Sequence, residues 1–129
     1  MSHEPIRGKR ILVVEDEPLI SGLICDMLTA DGHEVDEAPT GRVALERIAE
    51  RSYDLIVSDL RMPELDGPGL YRALEMKHEE LLGKIVFVTG SALDPGNEQF
   101  LEETRVPWLS KPFTIVDLHK LTQRVLRLS

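Results

Sequence analysis

The sequence predicts a doubly wound α/β domain on a five-stranded parallel sheet. Three observations lead there. Short apolar runs alternate with stretches of helical periodicity along the whole chain, in the order βαβαβαβαβα. The runs are continuously apolar, not alternating, which marks strands buried on both faces of a parallel sheet. Right-handed crossovers then put helices on both sides. No internal repeat, low-complexity stretch or linker divides the 129 residues, a length suited to one domain with a real core. Residues 1–8 are expected to be a flexible N-terminal segment and 9–129 the domain.

Ile11-Leu-Val-Val14 reads as the first strand. Leu19, Ile20, Leu23, Ile24, Met27 and Leu28 recur at helix spacing, and Gly32 follows where a helix stops. Glu34-Val-Asp-Glu37 is a weak strand. Thr40 is a candidate cap for a helix carrying Val43, Ala44, Ile48 and Ala49 inward. Leu55 to Val57 form the third strand, and 67–78 a helix with Leu70, Ala73 and Leu74 on one face. Ile85-Val-Phe-Val88 is a strand ending at Thr89. Asp94-Pro-Gly opens the fourth helix, with Asp94 as cap, running to about Thr104 and burying Phe100 and Leu101. Pro107 to Ser110 is the fifth strand. Thr114 with Asp117 resembles a capping box, Phe113 staples toward Leu118, and Leu118, Leu121, Val125 and Leu128 form the inner stripe of the last helix.

Composition narrows the function. Hydrophobic residues make up 42% and charged residues 29%, a globular profile with no apolar run near the ~20 residues of a membrane span. The N-terminus has no signal-peptide pattern, and the single Cys25 excludes an internal disulfide, so a cytoplasmic location without membrane contact is expected. Cys25 lies beside the first helix's apolar stripe and is read as packing. The four histidines are scattered without metal-ligand spacing. A net charge of −8, with no basic window, argues against direct nucleic-acid binding.

Parallel strands end at one edge. There the first strand meets Glu15-Asp16-Glu17, the third Asp59, the fourth Thr89, and the loop after the fifth carries Lys111. If the first and third strands are neighbours, Glu15, Asp16 and Asp59 share a pocket. Crowded carboxylates raise one another's pKa, and a divalent cation relieves the conflict. Oxygen donors without His or Cys favour Mg2+ or Mn2+. A carboxylate beside such a metal is a candidate nucleophile toward a phosphoryl group, with Lys111 as counter-charge and Thr89 as hydroxyl donor. Singly, each residue has a plainer role: Asp16 and Glu17 as helix cap, Asp59 in a turn, Thr89 as a strand end, Lys111 in solvent.

Ile11-Leu-Val-Val-Glu-Asp-Glu-Pro18, Asp54-Leu-Ile-Val-Ser-Asp-Leu-Arg-Met-Pro-Glu-Leu-Asp-Gly67, Val86-Phe-Val-Thr-Gly90 and Leu109-Ser-Lys-Pro-Phe113 together resemble the response-regulator receiver domain over nearly the whole chain. The resemblance implies a flavodoxin-like (βα)5 fold with strand order 2-1-3-4-5. It implies that Asp59 is phosphorylated from a histidine kinase or histidine phosphotransfer protein. Asp16, Asp59 and the backbone carbonyl of Arg61 would hold Mg2+, with Glu15 acting through water. Thr89 is the implied switch hydroxyl, Lys111 the phosphoryl counter-charge, and Lys111–Pro112 a cis bond. It further implies a downstream protein on the surface of the last two helices and last strand, including Phe100, Leu101, Trp108, Lys120 and Arg124. A receiver of this kind phosphorylates and dephosphorylates itself and is not a conventional enzyme.

Some positions depart from the family pattern. Glu15 replaces a common Asp, and Trp108 a Tyr or Phe that changes rotamer, which opens the question of the Thr89–Trp108 relay. Gly90 leaves room for a phosphoryl group, and Arg61 and Ser91 flank it as rate-tuning positions. The start at Arg7-Gly-Lys-Arg10 and the stretch Val88–Pro95 leading to Trp108–Phe113 also resemble C-terminal receivers of hybrid sensor histidine kinases, the alternative being a single-domain regulator. Two other functions remain open: a metal-dependent phosphatase, which would want an acid where Arg61 stands, and an interaction module that never uses phosphate.

Overall fold

A computed structural model describes residues 4–90 and 94–128. Five strands, β1 (Arg10–Val14), β2 (Glu34–Ala38), β3 (Leu55–Asp59), β4 (Ile85–Thr89) and β5 (Trp108–Ser110), pair in parallel in the order β2-β1-β3-β4-β5. The helices are α1 (Pro18–Ala30), α2 (Gly41–Glu50), α3 (Gly67–Lys77), α4 (Pro95–Thr104) and α5 (Ile115–Leu128). The apolar runs have their expected consequence: successive residues of one strand serve opposite layers. Leu12, Val14, Ile56, Ile85 and Phe87 pack with α2, α3 and α4 through Ala44, Ile48, Leu70, Leu74, Phe100 and Leu101. Ile11, Val13, Leu55, Val57, Val86 and Val88 pack with α1 and α5 through Ile24, Leu28, Leu118 and Val125. The polar β2 and short β5 take the two edges, where half-exposed residues are tolerated.

Local chemistry sets the helix starts. Thr40 accepts from the Val43 N–H at 3.1 Å and Asp66 from the Gly69 N–H at 2.9 Å. Thr114 and Asp117 form the full reciprocal box, at 3.2 and 3.0 Å. Glu17 precedes α1 without a side-chain cap bond, so Pro18 and packing fix that start.

Several sequence expectations need correction. Asp94 occupies the cap position of α4 but makes no cap bond. Leu128 is 81% exposed, and Leu126 turns inward in the last turn of α5 instead. Ala49 is exposed. Phe100 and Leu101 are both buried in the core, so neither contributes to an outer face. A 3₁₀ turn at Glu79–Lys84, anchored by buried Leu81, has no counterpart in the sequence reading. Residues 1–3 lie outside the described residues. The stretch 4–8 carries tethers: Ile6 exchanges two hydrogen bonds with the Gln123 amide, at 2.7 and 2.9 Å, and Gly8 N–H donates to Gly32 at 2.9 Å.

Gly67 fixes the loop after β3. Its N–H donates to the Leu60 carbonyl at 2.9 Å. A Cβ there would stand 2.8 Å from Leu60 Cα, 2.9 Å from a Phe87 ring carbon and 3.0 Å from the Asp59 carbonyl. Two of these three neighbours are backbone, so little can yield. Gly67→Ala is therefore expected to destabilise the domain by about 1–3 kcal/mol, in the range of overpacking. Chemical denaturation measures this, and an unchanged midpoint would mean that the loop has slack.

Candidate functional site

The parallel register brings the strand ends to one edge. Val14 of β1 pairs with Ser58 of β3, so Glu15 and Asp59, the next residues along, emerge side by side. Asp59 pairs with Val88, one residue before Thr89, and Thr89 pairs with Ser110, one residue before Lys111. The Lys111 N–H donates to the Thr89 carbonyl at 2.8 Å, which extends the β4–β5 ladder to the lysine. The Lys111–Pro112 bond is cis.

The side chains converge as their chemistry suggests. One carboxylate oxygen each from Glu15, Asp16 and Asp59 lies within 4.8 Å of the other two. Lys111 Nζ donates to Glu15 Oε1 at 2.6 Å and to Asp59 Oδ2 at 2.9 Å. Asp59 Oδ1 accepts from the Arg61 N–H at 3.3 Å, and Glu15 Oε2 from the Asp16 N–H at 3.1 Å. An open cleft of about 300 Å³ is lined by Asp16, Glu17, Asp59, Arg61, Gly90 and Lys111. A Cβ on Gly90 would meet nothing within 4 Å, so the room there belongs to the cleft.

Burial sorts the three acids. The Glu15 and Asp59 side chains are 0% and 8% exposed, whereas Asp16 is open to solvent. Burial pushes the Glu15 carboxyl up to about 7. The hydrogen bond from Lys111 opposes that rise, and neighbouring Asp59 reinforces it. Burial works against the Lys111 ammonium, but its bonds to Glu15 and Asp59 outweigh this and raise its pKa. The cluster thus has more negative charge than one lysine neutralises. Its donors are all carboxylate oxygens, which fits a hard divalent cation.

Thr89 is wholly buried on β4, beside β5. Trp108 is 41% exposed on the edge strand, opposite Phe87. Lys120 and Arg124 are exposed on α5. Ser91 lies outside the described residues. Cys25 is half-buried, its thiol pushed up to about 12 mainly by burial and then by Glu37, in keeping with a packing role.

Sequence reasoning missed Asp94 as a neighbour of the cleft. Its carboxylate forms an ion pair with the Arg61 guanidinium. The Asp-Pro-Gly signal was spent on the helix start, and a partner 33 residues away leaves no local pattern. It also missed three exposed apolar side chains near the starts of two helices: Leu19 (89%) and Leu23 (48%) on α1 and Ile115 (61%) on α5.

The response regulator receiver domain model matches residues 11–123. Sensor kinase CckA of Brucella abortus is 35% identical over 118 residues, covering 90% of this chain, which spans 12% of CckA's length. The receiver protein CpdR of the same organism is 33% identical over 118 residues, covering 92% of this chain and 97% of CpdR. A crystal structure of the receiver domain of a Pseudomonas aeruginosa PAO1 sensor histidine kinase, with a magnesium ion in its active-site cleft, superposes with a TM-score of 0.84 at 31% identity, covering 93% of this chain and 98% of that one. Motifs, strand order and relatives agree: the chain belongs to the response-regulator receiver domains of two-component signalling.

Proposed function

We propose that Asp59 is the phosphoacceptor of a phosphorelay, taking its phosphoryl group from a phosphohistidine of a histidine kinase or phosphotransfer protein. The observation that carries this reading is a buried strand-end carboxylate bonded to Lys111 at 2.9 Å, within reach of two further acids, on an open cleft. A carboxylate oxygen of Asp59 attacks phosphorus as the P–N bond breaks. The bonding pair returns to the imidazole nitrogen, which takes up a proton, and an acyl phosphate remains on Asp59. Lys111 balances charge on the phosphoryl oxygens. Asp16, Asp59 and the Arg61 carbonyl hold Mg2+ or Mn2+ in this reading, with Glu15 acting through water; the bound ion supplies neutralisation of phosphoryl charge.

The donor approaches over exposed Leu19, Leu23 and Ile115, since α1 follows Glu17 and α5 follows Lys111, both of which line the cleft. The downstream partner meets the α4-β5-α5 surface, where Trp108, Lys120 and Arg124 are exposed. Thr89 links the two regions, because it sits between Asp59's strand and the edge strand that carries Trp108. One relative carries its receiver within a sensor kinase and another is little more than a receiver, so the reading is pitched at the domain.

Beryllofluoride with magnesium, an aspartyl-phosphate mimic, is expected to shift the amide spectrum of the wild type and leave that of Asp59→Asn unchanged. Equal spectra before and after loading of the wild type would sink the assignment. Thr89→Ala is expected to load normally but to lose coupling to the partner, measured as partner affinity with and without the mimic. Unchanged coupling would remove Thr89 from the relay.

Metal binding is expected to depend on pH with a definite sign. Folding raises the Glu15 carboxyl from its ordinary 4.5 to about 7, so this group still carries a proton in part of the population near neutrality. A cation competes with that proton. Magnesium affinity, followed by calorimetry, should rise as pH increases from below 7 to above it and then level off. In Glu15→Gln this part of the dependence should vanish; its persistence would place the titrating group elsewhere.

A further inference from the structure

Asp94 is the N-cap residue of α4, with extended backbone (φ −62°, ψ 133°), yet its carboxylate caps nothing. Thr40 and Asp66, at the same position of α2 and α3, both accept from the N–H three residues on. The Asp94 carboxylate is instead held by the guanidinium of Arg61. Arg61 lines the cleft with Asp59 and Lys111, two residues beyond Asp59 and bonded to its Oδ1 through its own N–H. The ion pair therefore joins the loop after β3 to the start of α4, beside the cleft that Arg61 lines.

Two physical comparisons favour an exchange of partners. The Arg61 and Asp94 side chains are 72% and 47% exposed, and ion pairs so open to water hold weakly. A phosphoryl group on Asp59 would add close to two negative charges and three acceptor oxygens beside Arg61, and a guanidinium fork matches that group in two-pronged fashion. The cap position itself gives the Asp94 carboxylate an alternative place to lie. A carboxylate at the cap position satisfies first-turn N–H groups and lies favourably against the positive end of the helix.

We propose that Arg61 and Asp94 form a phosphorylation-released latch. In the unmodified protein Arg61 holds Asp94 away from the helix. When Asp59 carries a phosphoryl group, Arg61 turns to the phosphoryl oxygens, and the freed Asp94 caps α4. The inference rests on Asp59 as phosphoacceptor. It assigns Arg61 a positioning role through its side chain, separate from any part its carbonyl plays. It also gives the site a second route to α4 that bypasses Thr89 and Trp108.

The test is the backbone amide spectrum of the first turn of α4, residues 96–97, in the full chain with and without magnesium and beryllofluoride. Loading the wild type should move these amides. In Arg61→Ala, whose side chain is exposed enough for the fold to tolerate its loss, they should already lie at the loaded positions before any ligand is added, while β5 amides stay at unloaded ones. In Asp94→Ala they should not respond to loading. Arg61→Ala should also bind beryllofluoride about tenfold more weakly, as loss of a charge-assisted bond implies. If the 96–97 amides of unloaded Arg61→Ala match the unloaded wild type, or if loading the wild type moves Lys111 but not these amides, the latch is overturned. A wild type that ignores beryllofluoride everywhere overturns the phosphoacceptor reading instead; the unliganded Arg61→Ala spectrum still judges the contact between Arg61 and Asp94.

Discussion

The ammonium of Lys111, bonded to both Glu15 and Asp59, is the contact on which the reactive edge depends. Parallel pairing of β1 with β3 forces two acids together and buries them. Without a counter-charge their repulsion and desolvation would work against that pairing. The lysine comes from beyond β5, on the far side of the sheet, and its own N–H is fixed to Thr89. One cation thus ties together three strands that share no sequence neighbourhood. One ammonium faces three carboxylates there, and burial, opposed by the Lys111 bond and reinforced by Asp59, still pushes the Glu15 carboxyl up to about 7. The excess of carboxylate over ammonium is what makes this cluster fit a hard cation.

Beneath the site, packing carries the geometry onward. Gly67 lets the loop after Asp59 press against Leu60 and the Phe87 ring. Phe87 in turn meets Phe100 of α4 edge-on, with centroids 5.6 Å apart, and Phe100 meets Tyr71 of α3 at 5.4 Å. The loop and the inner face of α4 are thus joined through contiguous rings, while Arg61 and Asp94 connect the same two elements on the outside. The helix is held to the site at two depths.

Much of this was legible in the sequence because the signals are local or periodic. Continuous apolar strands announced the parallel sheet, Thr40 and the Thr114/Asp117 box announced their helices, and polar strand ends announced the edge where Glu15, Asp16, Asp59, Thr89 and Lys111 gather. What failed was decided by distant partners. Adjacent Phe100 and Leu101 both turn inward because Phe87 and the α3 ring await the first and the same core layer takes the second. Leu19 fits the period of α1 yet is absent from both core layers and stays exposed. Asp94 satisfied a short-range rule for capping and lost it to an arginine 33 residues away. Periodicity states which residues are able to face inward; only the neighbouring element states which do.

The opposite edge of the sheet makes the reactive one affordable in structural terms. There several polar groups close on one another, while the buried Nε2 of His33 has no hydrogen-bond partner. Asp54 accepts from the Arg10 N–H at 2.9 Å, Tyr53 donates to Asp36 at 2.6 Å, and His119 meets Asp31 at 2.8 Å. Gln123 grips Ile6 on both its backbone groups. His33 accepts from the Lys9 N–H at 3.2 Å, and burial keeps its imidazole neutral by lowering its pKa. These bonds join β1, β2, β3, α1 and α5 at the end where no charge is asked to change. A charge added at Asp59 would fall at the other end of the strands from these bonds, which leaves them in place to hold β1, β2 and β3 in register. A population shift needs elements that open at different cost, and the two ends of these five strands differ in just the bonds that would set that cost.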